Sequence, residues 1–441
     1  MAKLTRTLAL DGGAPAVTLS APRLPIVGEL EVAWMEGVVR SGQWSWMGPH
    51  ESAFCREFAQ FIGAKHAICM ANGTVTLQVA LQAVGVRPGD EVIVPALTWV
   101  ATAQAALDIG ASVVLVDIDP ETLCMDPKAF QKAITKKTKA VVPVHLYGCM
   151  CDMDAILEIA RKHGIKVVED VAHQHGSRWK NAGAGALGDI GSFSFQQSKV
   201  LTSGEGGAVT TNDDEIYQTA FAIKHVGFLP DLATPAGLYG HNYRITEMQA
   251  VLLRGGLRRL PDQTRIREEN VQYLREKLSR IGGPLRIARR DSRITRQAYY
   301  ALTMVYDPKE AGGLERDGYL AALNAEGFHA GRTYSPVYRM PLMNLYHPTS
   351  PVPYRDPKVT QDYSCLAAKM PNTEKAVNET AVTWSHANLL GSREYLDQIV
   401  EAVRKVNDNL RRVRAIYLAR KKAEEAARTQ EKAAGSQASG R

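Results

Sequence analysis

Between residues 66 and 195, short apolar runs alternate with helical stretches, and this alternation limits the fold more than any other feature of the chain. Residues 66–70, 89–95, 112–116, 139–145, 165–169 and 190–195 read as strands bounded by Gly, Pro or Asn. Between them, 75–84, 98–109 and 152–163 carry apolar residues at helical spacing. Strands that recur with a helix between them build a parallel sheet with helices on both faces. Two further helices, over 29–41 and 51–62, precede the first strand. After about residue 283 the pattern weakens into a strand over 294–308, a helix over 314–326 and an amphipathic helix over 393–405. The expected organisation is an N-terminal arm over 1–28, a large mostly parallel-sheet α/β/α domain over 29–287 and a smaller α+β domain over 288–411. A basic tail over 412–441 is expected to fray from helix into disorder.

Composition removes several function classes. A chain of 441 residues that is 45% hydrophobic and 22% charged has ample material for a large core. It contains no apolar run long enough to span a bilayer, and its N-terminal segment lacks the apolar centre of a signal peptide. The six cysteines are scattered, which fits reduced thiols and a cytoplasmic location. Cys149 and Cys151 form a C-x-C pair with no second pair nearby, so no metal site is expected. The net charge of +7 invites a nucleic-acid partner, but residues 411–441, with nine basic and three acidic residues, carry +6 of it. Basicity therefore belongs to the tail, and neither a nucleic-acid nor a membrane partner is expected.

The densest chemistry lies in 167–208, VVEDVAHQHGSRWKNAGAGALGDIGSFSFQQSKVLTSGEGGA. Asp170 ends a strand, and the carboxyl ends of strands are where open α/β sheets bind ligands. Lys199 follows the next strand across a Gly-rich connection. Alone, the pair would be a loop carboxylate and a surface lysine. Together they suit pyridoxal phosphate: a carboxylate keeps the pyridine nitrogen protonated, and a lysine forms a Schiff base with the aldehyde. That lysine must also carry protons, which requires a partly neutral amine.

Other residues fit the same cofactor. Asn72-Gly73-Thr74 opens a helix after a strand, where backbone N–H groups and the Thr74 hydroxyl can bind phosphate. Gly73 permits close backbone approach. Ser194 can bring a second hydroxyl to the phosphate, or be a buried serine bonded to backbone. Trp99 can stack on a planar ring or be a core residue. His173, three residues beyond Asp170, can bond the cofactor's phenolic oxygen or cover a ring face; His175 reads as structural. Gly204, Gly206 and Gly207 suggest a flexible turn after the lysine.

In this order, the residues resemble the DegT/DnrJ/StrS family of PLP-dependent sugar aminotransferases over about residues 30–405. The motifs are N-G-T, P-A-L-T-W, V-H-L-Y-G, E-D-V-A-H, G-D-I-G-S-F-S-F-Q-Q-S-K, G-E-G-G and H-N-Y-R-I-T-E-M-Q-A. The resemblance implies a fold-type I aminotransferase architecture and a homodimer with active sites at the subunit interface. It implies Lys199 as the Schiff-base lysine, Asp170 as the pyridinium partner, Gly73, Thr74 and Ser194 at the phosphate, and Trp99 against the ring. Asn242 would reach the phosphate of the neighbouring subunit's cofactor. His173 stands where many members have Gln. With Tyr334-Ser-Pro-Val-Tyr338, it is similar to the branch that aminates scyllo-inosose and deoxy-scyllo-inosose from glutamine in aminocyclitol biosynthesis. Trp46, His145, Tyr147 and Tyr338 are possible lining groups for a polyol substrate, or structural residues. The rivals are a nucleotide-keto-sugar aminotransferase, an enzyme of the aminohydroxybenzoate-synthase type, and a non-catalytic PLP-binding protein acting through its tail.

Overall fold

The apolar runs read as strands are buried on both faces, as a parallel sheet covered by helices requires. The computed structural model describes residues 7–343, 363 and 365–438, with backbone alone over 428–438. Residues 1–6 of the expected arm and 439–441 of the expected tail lie outside the described residues. In chain order, α1 (Glu29–Ser41) and α2 (Pro49–Ile62) lead into β1 (His66–Met70), α3 (Gly73–Ala83), β2 (Glu91–Pro95), α4 (Ala101–Asp108) and β3 (Ser112–Val116). Next come α5 (Pro127–Ala133), β4 (Thr138–Val141), α6 (Met153–His163) and β5 (Lys166–Asp170). A small hairpin, β6 (Arg178–Trp179) and β7 (Ala182–Gly183), precedes β8 (Ile190–Ser194), β9 (Gly207–Thr211), α7 (Asp214–Lys224) and the 35-residue α8 (Glu247–Ile281). The C-terminal part holds β10 (Leu285–Ile287), β11 (Ile294–Arg296), β12 (Ala301–Tyr306), α9 (Arg316–Ala325), α10 (Pro371–Lys375), β13 (Ala381–Ser385), α11 (Arg393–Asn407) and α12 (Leu410–Ala438).

The large sheet has the order β1-β9-β8-β5-β4-β2-β3. Its pairings are parallel from β3 through β8, and β9 runs antiparallel to both β8 and β1. Alternation along each strand sends side chains to two separate cores. Val92 and Val94 join one with Ile68, Val79 and Leu81, while Ile93 joins the other with Phe54, Phe58 and Phe193. This α/β architecture agrees with the expectation. Among the described residues, no helix is long and apolar enough to cross a membrane.

The smaller unit differs from expectation in detail. Its sheet, β10-β12-β13, starts at Leu285, inside the boundary expected at 287/288. The run read as one strand over 294–308 is two. Ile294–Arg296 pairs with the β6 hairpin of the large unit, and Ala301–Tyr306 pairs within the C-terminal sheet. The arm is packed rather than loose. Leu8, Ala16 and Val17 are buried in the C-terminal core, and the buried Glu326 carboxylate accepts from Ala9 N (2.7 Å), Ala16 N (3.0 Å) and Lys405 Nζ (2.8 Å).

The tail, expected to run from helix into disorder, begins as a helix that continues the C-terminal unit. α12 is helical from Leu410 to Ala438. Val413 is fully buried in the C-terminal core. One turn on, the Tyr417 hydroxyl donates to Glu315 at 3.0 Å, and Lys421 reaches the same carboxylate at 2.8 Å. Residues spaced by four share a helix face, so this side of the tail docks against the N-terminus of α9.

Candidate active site

Asp170 is the last residue of β5, and its neighbour secures it. Glu169 is fully buried and accepts backbone N–H bonds from Gly185 (3.0 Å), Leu187 (2.8 Å) and Gly188 (2.8 Å), with His145 Nε2 at 3.1 Å. These bonds tie the strand end to the turn before β8. Alternation then turns the Asp170 carboxylate to the opposite face. Its Oδ2 accepts from the Thr102 hydroxyl at 2.9 Å, and its Oδ1 accepts from Ala172 N at 3.2 Å. Burial pushes its pKa up, with Thr102, the Ala172 N–H and Lys199 pulling the other way. A buried anion held by such partners suits a cationic ligand.

Lys199 follows β8 in a turn closed by its own N–H, which donates to Gln196 O at 2.8 Å. The side chain is half-buried, and its Nζ lies 4.6 Å from the Tyr300 ring centroid. Burial lowers its pKa to about 8, against the opposing pull of the Asp170 carboxylate. An amine so placed is partly neutral near physiological pH, as covalent attack and proton carriage both require. The turn that follows is tied down rather than loose: Phe195 N donates to Gly206 O at 2.8 Å, and Ser203 N donates to Phe195 O at 3.0 Å.

At the start of α3, Asn72 Oδ1 accepts from Thr74 N (3.0 Å) and Val75 N (3.1 Å). Gly73 at the helix N-terminus, Thr74 and Ser194 line the same cavity, so a backbone N–H and two hydroxyls are available there. Thr76 Oγ1 lies 2.8 Å from Ser192 Oγ and locks this helix onto β8. A Cβ on Gly73 would sit 2.6 Å from Ser194 Cβ and 3.0 Å from its Oγ. The close approach of these two backbones is what demands glycine here.

His173 Nδ1 accepts the Tyr147 N–H at 3.1 Å, which leaves the ring proton on Nε2. Burial holds this imidazole well below its ordinary pKa, so it is neutral. It stacks on Tyr300 with centroids 4.0 Å apart and planes at 16°. Trp99 is 56% exposed and forms part of the opening, 5.6 Å from the Tyr334 ring.

Gly73, Thr74, Trp99, Asp170, His173, Ser194 and Lys199 line one cavity of about 400 Å³. Asn242 does not line it; it is exposed, in a bridge to His225. The other possible lining groups are structural. Trp46 packs on His225 at 3.8 Å, and the His145 ring is fully buried against Glu169. The Tyr147 hydroxyl accepts from Tyr334 N at 2.9 Å, and the Tyr338 hydroxyl bonds Glu374. Sequence reasoning missed Tyr300 and Thr102 as site residues and saw Tyr334 only in a branch motif. Thr102 had a signal, since Thr98 and Thr102 lie four residues apart in the segment that opens α4. Tyr300 had none, because it arrives from the C-terminal part of the chain.

The cavity fits pyridoxal phosphate in its own chemistry. A buried carboxylate suits a pyridinium nitrogen, a partly neutral lysine suits the aldehyde, and a glycine-tight helix start with two hydroxyls suits the phosphate. Known proteins place the chain among aminotransferases. The DegT/DnrJ/EryC1/StrS aminotransferase family model matches residues 25–404. A Streptoalloteichus tenebrarius protein assigned as an L-glutamine:3-amino-2,3-dideoxy-scyllo-inosose aminotransferase is 39% identical over 417 residues, covering 92% of this chain and 99% of its own. The L-glutamine:2-deoxy-scyllo-inosose aminotransferase of the same organism is 36% identical over 417 residues, covering 90% and 97%. The crystal structure of 3-amino-5-hydroxybenzoic acid synthase superposes with a TM-score of 0.78 at 34% identity, covering 89% of this chain and 98% of that one. On a match that runs from the end of the N-terminal arm to the last turn of α11, the chain belongs to the DegT/DnrJ/EryC1/StrS aminotransferase family.

Proposed function

We propose that this enzyme uses pyridoxal phosphate to move an amino group from L-glutamine to a cyclic polyol ketone of the scyllo-inosose type, in aminocyclitol biosynthesis. The observation that carries the reading is the shared cavity of Asp170 and Lys199. When bound, the cofactor supplies an electron sink for the donor's α-carbon. Asp170 would hold the pyridine nitrogen protonated, Gly73, Thr74 and Ser194 would hold the phosphate, Trp99 would lie against the ring, and His173 would bond its phenolic oxygen or cover a ring face. Lys199 Nζ would take a proton from the donor's α-carbon and pass it to the cofactor's C4′ carbon in the first half-cycle, and would move a proton from C4′ to the acceptor carbon in the second. The chain works as a cytoplasmic homodimer, in which the exposed Asn242 reaches the phosphate bound by the other subunit.

The lining supports a neutral polyol over a nucleotide-linked sugar. It offers Thr98, Gln196, Ser198 and Tyr300 as hydrogen-bonding groups beyond those assigned to the phosphate, and among the described residues Lys199 is its only basic side chain apart from His173, which is neutral. A diphosphate would call for arginine or lysine clamps. Purified protein should be supplied with glutamine and, in parallel, scyllo-inosose, deoxy-scyllo-inosose and nucleotide-linked keto-sugars. Amination of the cyclitol ketones at a kcat/KM roughly tenfold or more above the keto-sugars, about 1.4 kcal/mol of discrimination, is expected. Turnover confined to nucleotide-linked sugars would overturn the substrate assignment and leave the aminotransferase assignment standing.

A further inference from the structure

A second cavity, of about 170 Å³, lies behind the lysine. Lys199 lines it from one side, together with Gln263, Arg267 and His386. Arg267 is fully buried, on the middle of α8. Its Nη2 donates weakly to Gln263 Oε1 at 3.3 Å. Its Nε and Nη1, which carry three of the five guanidinium N–H donors, have no hydrogen-bond partner. Among the described residues, no carboxylate comes within ion-pair distance of it. Glu31 lines the cavity too, but it is paired with Arg259.

A guanidinium in this position is a costly group. Burial lowers its pKa only to about 10, so it keeps its charge at neutral pH. A buried charge is tolerated when a counter-charge and hydrogen bonds replace lost water. His386 supplies neither. Its Nε2 faces Ser198 O at 2.9 Å, and burial lowers its pKa to about 3, so the ring is neutral and its free Nδ1 is an acceptor. With the Glu31–Arg259 pair cancelled, the cavity wall carries the charges of Arg267 and, when protonated, Lys199. Water can fill three N–H donors, but it cannot neutralise that field.

We propose that this cavity is a binding site for a small monoanion, a halide or a short carboxylate, held by Arg267 beneath the Lys199 turn. Its volume accommodates such an ion with a few waters, one of which can donate to His386 Nδ1.

The test uses the full chain with its cofactor loaded, at constant ionic strength, with gluconate as the bulky reference anion. Sodium bromide and sodium formate are the two probes. Each is expected to give a saturable rise of the thermal midpoint by a few degrees, and the probe that saturates at the lower concentration identifies the class of occupant. A bromide-soaked crystal should show an anomalous peak within hydrogen-bonding reach of Arg267 Nε or Nη1. Because Arg267→Met risks misfolding, Gln263→Glu is the decisive variant. It places a carboxylate beside Nη2 and supplies the counter-ion from within. It should fold, melt higher than wild type in gluconate and lose the response to both probes. The site is overturned if bromide is absent from Arg267, or if Gln263→Glu keeps the wild-type anion response. Neither outcome bears on whether the enzyme transfers amino groups.

Discussion

At the scale of single residues, Lys199 is displaced from its solution behaviour by burial, and its chemistry follows that displacement. An amine attacks an aldehyde only as the free base. Its pKa of about 8 means that the neutral fraction grows as pH rises toward 8 and saturates above it. The rate at which cofactor-free protein takes up pyridoxal phosphate should therefore climb with pH through about 8 and then level off. Stopped-flow absorbance checks this, and a rate still climbing toward the ordinary lysine value of 10.5 would contradict the burial argument. The acid and the lysine were legible from sequence because both sit where a strand ends and a Gly-rich turn begins. The aromatic wall was not. Tyr300 stacks on His173 and stands over Lys199, yet its hydroxyl meets Ser198 Oγ across a sequence separation of 102 residues. No local pattern encodes a contact made only when two units close on each other.

At the scale of elements, the start of α3 joins folding to function. Asn72 caps the helix, Thr76 bolts it to β8, and Gly73 lets the two approach. Gly73→Ala would push its new methyl against Ser194, so cofactor retention should weaken by roughly tenfold, or about 1.4 kcal/mol. Equilibrium dialysis measures this, and unchanged retention would remove Gly73 from the phosphate site. Most strands were legible within a few residues, because each is a short apolar run between turn residues. α8 was not, and Pro261 in its interior reads as a helix breaker. The helix continues through it, started by a Thr246–Gln249 capping box and held by buried Leu253, Leu257, Leu260 and Leu274. Packing along 35 residues outweighs a local cost of about 3 kcal/mol. β9 was also missed, since its Gly-Ala-Val-Thr-Thr run follows directly on the glycines of the lysine turn and reads as more of the same loop.

At the scale of the whole molecule, the arm and the tail meet on the C-terminal unit: Arg412 pairs with Asp11 at 2.7 Å while Val413 enters the core. Composition alone reads an Ala, Lys, Arg and Glu segment as solvated, and the docked face carried by Val413 and Tyr417 was not read from it. The proposed homodimer makes its own prediction. Lys199→Ala and Asn242→Ala variants, each inactive or weak alone, should regain activity when unfolded together and refolded as a mixture. A two-fold dimer that shares sites restores one intact site in each mixed pair, or about a quarter of wild-type activity in a statistical mixture. No gain on mixing would place Asn242 outside the partner's site. The proposed aminotransfer depends on a covalent hold of Lys199 on pyridoxal phosphate, opposite Asp170. Borohydride reduction of the cofactor-loaded protein, followed by peptide mapping, tests it most directly. A single pyridoxyl group on Lys199, absent from the Lys199→Ala protein, is the expected result. Label on any other lysine, or none at all, would contradict it.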